Sequence, residues 1–150
     1  FLYAPLVITG LHHMSNAIDL QLIAEFNGTN LWPMIALSNI AQGSAVLGMI
    51  ILQRKNERAQ QVNIPACISC YLGVTEPAMF GVNIKYGFPF ICAMIGSAMA
   101  NSSGVAGLPG FLAIQTRYIL PFIIAMGIAI AVPLVLTLIV GKKRGINNEI

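Results

Sequence analysis

The residues best suited to chemistry centre on one acidic side chain, Glu76, which lies between Gly73 and Pro77 in an otherwise apolar stretch. Glycine and proline both interrupt helices, so backbone N–H and C=O groups near the carboxylate lose their helical partners. An ionised carboxylate accepts two hydroxyl protons in a fixed geometry, which suits it to bind a sugar. A structural ion pair with Lys85 or Arg117 is the alternative role.

Two adjacent histidines, His12 and His13, form the second candidate group. Imidazole titrates near neutral pH and can donate to or accept from a hydroxyl. Neighbouring side chains point in different directions on a helix or strand, so we expect one of the two, His12, to face a ligand. Structural hydrogen bonding is the second interpretation. A metal site is disfavoured because no His-x-x-x-His spacing accompanies the pair, and we predict neither a metal nor a cofactor.

Amide side chains make up the third group. Asn39 and Gln42 are three residues apart in one long apolar run and therefore share a helix face. Substrate binding and hydrogen bonding to a neighbouring helix are both open for them. Asn83 and Lys85 follow the Glu76 segment and are expected to close the same site. The sequence contains no Ser-His-Asp arrangement and no Walker-type phosphate loop, so no catalytic residue is predicted.

The composition of the chain indicates that lipid, as well as water, surrounds the folded protein. Hydrophobic residues make up 57% of the 150, charged residues 9%, and the mean hydropathy is +0.78. Soluble domains carry about 25% charged residues, because a folded surface must face water. An all-α integral membrane protein is therefore predicted, with the bilayer as its surroundings. No basic stripe alternates with aromatic residues, which argues against nucleic acid as a partner.

Two uncharged runs, Leu31–Leu52 and Ile119–Val140, are long enough to span that bilayer. Each has 22 residues, which at about 1.5 Å per residue reaches roughly 33 Å, against a hydrocarbon core of about 30 Å. Each run is followed by positive charges: the first basic cluster comprises residues 54–58, and the second comprises residues 142–144. The positive-inside rule places both clusters, and with them the C-terminus, in the cytoplasm.

The chain between two cytoplasmic clusters must cross the membrane an even number of times. We predict that residues 88–112 supply one crossing and Ile119–Val140 the other. Residues 64–81 then add no net crossing, and a re-entrant hairpin suits them, since irregular backbone at membrane depth is tolerated where protein buries it or water reaches it. The expected breaks in this segment are Pro65, Gly73, Pro77 and Gly81.

The stretch Gly73–Asn83 (GVTEPAMFGVN) resembles the G-[IV]-T-E-P signature of the glucose superfamily of phosphotransferase system (PTS) membrane components, the IIC components. The sequence Gly-Leu-His-His at residues 10–13 resembles the upstream histidine motif of that family, at a suitable distance from the signature. Residues 30–45 and 107–110 are most similar to the trehalose-specific members.

The resemblance implies the C-terminal half of a IIC fold, working as a homodimer in the bacterial inner membrane. It implies sugar translocation, with trehalose as the substrate, coupled to phosphorylation by a IIB phosphocysteine domain that the IIA and HPr relay supplies. The sugar contacts of the family map onto Glu76 and His12, with His13 as the second choice and Thr75 inside the signature. A sucrose- or glucose/maltose-type permease and an uncoupled sugar carrier are the alternatives.

The chain opens with Phe-Leu-Tyr-Ala-Pro, without Met and without a basic region, like the tail of a helix. We expect it to be part of a longer protein. Without the phosphocysteine domain and the earlier spans, this part alone is expected neither to transport nor to phosphorylate.

Overall fold

The computed structural model describes residues 3–26, 31–102 and 119–145. These residues form helices joined by short turns, with no strand among them, so the predicted all-α class is confirmed. The helices are α1 (Tyr3–Ile8), α2 (His12–Phe26), α3 (Leu31–Leu52), α4 (Glu57–Tyr71), α5 (Glu76–Ala78), a π-helical turn (Met79–Asn83), α6 (Ile84–Tyr86), α7 (Phe88–Ser102) and α8 (Ile119–Lys143).

The predicted spans correspond to three of these helices. The bounds of α3 are those of the uncharged run, and α8 continues three residues past Val140 to Lys143. The predicted 88–112 span begins as α7, which extends to Ser102, and residues 103–112 lie outside the described part of the chain.

Length and composition show which described helices can cross a bilayer. They are Ile35–Leu52 in α3 and Ile123–Lys143 in α8. A third candidate is bent, since Glu76–Tyr86 and Phe88–Ala100 meet at an angle of 119°. Gly87 lies at this bend with a φ of 73°, a left-handed conformation that glycine adopts readily. The bent pair is either a broken span or a re-entrant loop.

The turn after α3 sends the chain back along that helix. Asn56 caps α4, because its Oδ1 accepts a hydrogen bond from the Ala59 N–H at 3.1 Å. Gln60 Nε2 donates to the carbonyl oxygens of Ile50 and Gln53, at 2.9 Å each. These carbonyls belong to the end of α3, where a helix lacks intrahelical donors, so Gln60 satisfies them from the next helix.

Two cysteine contacts show that α4 runs antiparallel to α3. The Cys67 thiol donates to the carbonyl oxygen of Gly43 with a separation of 3.5 Å. The Cys70 thiol donates to the carbonyl oxygen of Asn39 at 3.1 Å. As the chain advances along α4, its contacts therefore move back toward the start of α3.

The following segment, Glu76–Tyr86, returns to the end of α3, where Gln53 Nε2 donates to the Tyr86 hydroxyl at 2.8 Å. Residues 57–86 therefore form a helical hairpin with its tip at residues 72–75. The tip lies beside Asn39, which precedes the end of α3 by thirteen residues. At about 1.5 Å per residue, the hairpin reaches roughly 20 Å along α3.

This hairpin is longer than the predicted 64–81 segment, because three of the four expected breaks lie within helices. Pro65 is exposed inside α4, which accommodates it on its outer surface. Pro77 occupies the first turn of α5, where a helix tolerates proline, and Gly81 lies in the π-helical turn. Only Gly73, with a φ of 101°, lies between helices. The re-entrant placement of the hairpin in the membrane stays a prediction.

Close glycine contacts show that α3 and α8 are parallel. Gly48 packs on Thr137, where an added Cβ would lie 2.9 Å from the Thr137 Cβ, and farther along both helices Gly141 packs on Leu52. Leu52 and Gly141 each come shortly before a basic cluster. Both clusters therefore lie at one end of the bundle, the arrangement that the topology argument requires.

The remaining helix of the bundle, α7, runs antiparallel to α8. Gly96 in the middle of α7 packs on Pro133. The Phe88 ring at the start of α7 lies 5.5 Å from the Arg144 guanidinium carbon, just after the end of α8. The start of α7 is thus at the same end of the bundle as the two basic clusters.

A buried apolar cluster lies where the hairpin meets the bundle. Its members come from α3, both arms of the hairpin and α7, and they include Val46, Met49, Cys70, Val82 and Cys92. In lipid, helices associate through such packing and through hydrogen bonds, because the acyl chains are as apolar as the side chains. This cluster and the polar contacts at the tip together fix the hairpin on α3.

Candidate substrate-binding site

The hairpin tip determines the position of Glu76. Helix α4 closes with hydrogen bonds from the N–H groups of Gly73 and Val74 to the Cys70 and Ser69 carbonyls, at 3.1 and 2.9 Å. The chain reverses within four residues and enters α5 at Glu76, which is half-buried, directly after a buried Thr75. Two predicted site residues, Thr75 and Glu76, therefore lie where the tip of the hairpin joins the return arm.

Helix α3 meets the tip through Asn39. The Asn39 Nδ2 donates to the Gly73 carbonyl at 3.4 Å, while the Asn39 carbonyl accepts from the Cys70 thiol at 3.1 Å. The half-buried Asn39 is thus adjacent to the loop that leads into Glu76. Sequence reasoning gave Asn39 two possible roles, substrate binding and hydrogen bonding to a neighbouring helix, and the structure brings it to the tip.

Gln42 and Asn83 are brought together one helical turn farther along α3, away from the tip. The Asn83 Nδ2 donates to the Gln42 side-chain oxygen at 2.5 Å and to the Gln42 carbonyl at 3.3 Å. Both residues are buried, with exposures of 1% and 0%. The structure therefore favours interhelical hydrogen bonding as the role of Gln42. Among the described residues, the Asn83 Oδ1 has no hydrogen-bond partner, so one acceptor in this pair stays unsatisfied.

The histidine pair begins α2, after a turn through Gly10 with a φ of 76°. Helix α1, just before this turn, contributes Ala4 and Val7 to a buried apolar cluster that also contains Met94 of α7 and Met79, three residues after Glu76. The backbone leading to the histidines thus lies next to the return arm of the hairpin. His13 is exposed, and the side chain of His12 lies outside what the structure describes.

The alternative partners predicted for Glu76 can also be located. Lys85 lies at the opposite end of the return arm, nine residues away, which corresponds to about 14 Å along a helix. Its ammonium lies 5.6 Å from the centroid of the Tyr86 ring. This placement disfavours the Glu76–Lys85 ion pair, and Arg117 lies outside the described residues.

Sequence reasoning missed a second polar network, at the open end of the hairpin. Gln53 Nε2 donates to the Tyr86 hydroxyl at 2.8 Å, and the Asn63 Nδ2 donates to Gln53 Oε1 at 3.1 Å. Gln53 and Asn63 are buried, and Tyr86 is half-buried. The sequence feature that could have indicated this network is Asn63, a polar amide close to the apolar part of α4.

Helices able to cross a bilayer, in a chain with 57% hydrophobic and 9% charged residues, define an integral membrane protein of the all-α class. The chain belongs to the EIIC family of the phosphotransferase system, whose model, described as "Phosphotransferase system, EIIC", matches residues 1–97. No solved structure matches the chain.

Several curated relatives are similar over most of this chain. The "PTS system trehalose-specific EIIBC component" of Escherichia coli (strain K12) is 56% identical over 156 residues, covering 96% of this chain and 33% of the relative. The protein of the same name from Bacillus subtilis (strain 168) is 49% identical, covering 87% and 30%. A "PTS system sucrose-specific EIIBC component" of Pasteurella multocida (strain Pm70) is 40% identical, covering 99% and 34%. The chain spans about a third of the length of these relatives.

Proposed function

We propose that this chain is part of a PTS permease that moves trehalose across the bacterial cytoplasmic membrane and presents it for phosphorylation. The choice of sugar is supported by identity, since relatives named for trehalose reach 56% and 49%, and a relative named for sucrose reaches 40%. The observation that carries the proposal is the placement of the Glu76 signature at the tip of a hairpin held on α3.

In this proposal Glu76 is the principal sugar ligand. A half-buried carboxylate at a helix break accepts two sugar hydroxyls in charge-assisted hydrogen bonds, each contributing about 1.5–3 kcal/mol. Thr75 and His12 are proposed as further sugar ligands, with His13 in place of His12 as the second choice. The hydrogen bond from Asn39 to Gly73 supports a position for Asn39 at the edge of the site.

Gln42 and Asn83 act in the same proposal as groups that hold the return arm in place. Their mutual hydrogen bond joins α3 to the π-helical turn that follows Glu76. A sugar that reached the Asn83 Oδ1 would supply the donor that this atom lacks among the described residues. Holding the arm and contacting the sugar are therefore compatible roles for this pair.

The proposed arrangement in the cell follows from the bundle and the basic clusters. The end that carries both clusters faces the cytoplasm, so that residues 142–145 lie on the cytoplasmic side. The proposed partners are a IIB phosphocysteine domain, which is phosphorylated through IIA and HPr, and a second copy of the carrier in a homodimer. The lipid bilayer surrounds the apolar faces of α3 and α8.

The experiment that tests this function follows labelled trehalose into cells that express the full-length carrier. We expect the sugar to enter as its phosphate, and only when the IIB phosphocysteine is intact. Unlabelled trehalose should compete better than sucrose, maltose or glucose. Entry of free trehalose without the phosphorelay would instead identify an uncoupled carrier, and stronger competition by sucrose would overturn the choice of sugar.

A further inference from the structure

A separate polar cavity lies at the open end of the hairpin, away from the tip. Its volume is about 470 Å³, within the range of about 300–1,000 Å³ that small-molecule sites occupy. Asn56, Arg58 and Asn63 line it from the first arm and its cap, and Lys85 and Tyr86 line it from the return arm. Since Glu76 lies at the far end of the return arm, this cavity is distinct from the proposed sugar site.

The charge around this cavity is positive. Arg58 and Lys85 line it, and both are exposed. Arg54, Lys55 and Glu57 flank it in sequence and are also exposed. These five side chains comprise four cations and one anion, so their net charge is +3. A concave surface with one sign of charge raises the local concentration of ions of the opposite sign.

The neutral side chains in the wall have donors to offer an anion. The Asn56 Oδ1 accepts from the Ala59 N–H, which leaves its amide N–H groups as the part of the side chain able to bind a ligand. The Tyr86 hydroxyl oxygen accepts from Gln53, and its hydrogen can therefore point into the cavity. The hydrogen bond from Asn63 to Gln53 fixes these groups relative to one another.

From this geometry we propose that the cavity binds the phosphate group of an organic phosphate ester. A phosphate monoester carries a charge of about −1.5 to −2 near pH 7 and three acceptor oxygens. Arg58 can bind two of them through its planar guanidinium, while Lys85 supplies a point charge. A carboxylate carries a single negative charge, so it would neutralise only one of these two cations. The volume beyond that of a phosphate accommodates the organic part of the ester.

Two sources offer this chemistry at the basic end of the bundle. One is a soluble sugar phosphate, and the other is the headgroup of an anionic phospholipid. Both place a phosphate between the two arms of the hairpin, and both require Arg58 and Lys85. Binding of the phosphate requires the cavity and its charges and is independent of the identity of the transported sugar.

The test uses the full-length protein, purified in detergent and freed of phospholipid, with inorganic phosphate titrated calorimetrically at constant ionic strength. We expect saturable binding that R58Q and K85Q each weaken about tenfold or more, because each removes a charge-assisted contact. R58K and K85R keep the charge and should retain most of the binding. The matched control is K142Q, which removes the same charge from an exposed residue of the second basic cluster, outside the cavity, and should change the affinity less than about twofold.

A second set of measurements distinguishes the two sources. The thermal stability of each variant is compared in nanodiscs of phosphatidylcholine and of phosphatidylglycerol. Stabilisation by phosphatidylglycerol that R58Q and K85Q abolish supports the site with a lipid headgroup as its ligand, whereas phosphate binding without this stabilisation supports a soluble ester. If neither probe depends on Arg58 and Lys85, or if K142Q loses as much as R58Q, the proposal is overturned.

Discussion

Replacing Gly96 with Ala should destabilise the bundle, because α7 and α8 meet at this residue through rigid groups. A Cβ on residue 96 would overlap the Pro133 ring and lie 3.2 Å from the Pro133 backbone nitrogen. A proline ring cannot rotate away as a flexible side chain does, so the two helices must separate. Overpacking of this kind costs about 1–3 kcal/mol, and alanine returns roughly 0.5–1 kcal/mol through its helix propensity. We expect a net loss of about 1–2 kcal/mol.

The matched control for this variant is Gly127→Ala in α8. Gly127 is exposed, and a Cβ there would meet no atom within 4 Å. That change should leave stability unaltered or raise it by up to about 1 kcal/mol. Pro133→Ala provides a second control, because it removes the ring that Gly96 packs against. In a Pro133→Ala background, Gly96→Ala should be nearly harmless, which gives a coupling free energy of about 1–2 kcal/mol.

The assay is detergent-induced unfolding of the full-length carrier in mixed micelles, followed by circular dichroism. All four proteins of the cycle and the Gly127→Ala control are measured at one lipid-to-detergent ratio. If Gly96→Ala is as stable as Gly127→Ala, the close contact between α7 and α8 does not exist. If Gly96→Ala loses the same stability in the wild-type and Pro133→Ala backgrounds, the strain does not come from contact with the Pro133 ring.

Three further predictions follow from the site and the topology. His12→Gln should reduce trehalose uptake by tenfold or more, because it removes one hydrogen bond to the sugar. His13→Gln should have only a mild effect on uptake. Equal losses in the two variants would indicate a shared structural role. Asn83→Ala should destabilise the carrier by about 1–2 kcal/mol, because it leaves the buried Gln42 side chain unpaired. A Gln42→Leu/Asn83→Leu double variant should recover part of the loss. If the double variant loses the sum of what the two single Leu variants lose, the two residues do not form a direct pair. Single cysteines in either basic cluster should resist an impermeant thiol reagent on intact cells, and ready labelling from outside would contradict the proposed orientation.

The sequence was sufficient to predict the bundle helices that are continuous. Helix α3 coincides with the uncharged run because lipid-spanning helices end where charges begin, here shortly before Arg54. The predicted bounds of the hairpin were less accurate, because the prediction treated Pro65 and Gly81 as ends of helices, and a proline or glycine does not always end a helix. In the structure Pro65 is exposed on the outer surface of α4, and Gly81 lies in a π-helical turn.

Side-chain positions in the return arm could not be read from the sequence. A π-helical turn accommodates one more residue than an α-helical turn and shifts the faces of the residues that follow it. Asn83 ends such a turn and is buried against Gln42, a contact that the sequence did not indicate. The polar cavity at the open end was also missed, because its walls come from two arms far apart in sequence.

Trehalose affinity in a full-length Glu76→Gln carrier decides whether this carboxylate is the principal sugar ligand. The change keeps the shape of the side chain, and it replaces an acceptor oxygen of the carboxylate by a donor. The remaining amide oxygen can keep one of the two hydrogen bonds without its charge, so the loss should be at least about 1.5–3 kcal/mol, or roughly one to two decades in affinity. Glu57→Gln, at an exposed residue of the hairpin, is the matched control and should bind trehalose normally. We expect both variants to reach the membrane in normal yield, with trehalose binding lost only in Glu76→Gln. Unchanged affinity in a well-folded Glu76→Gln carrier would contradict the account.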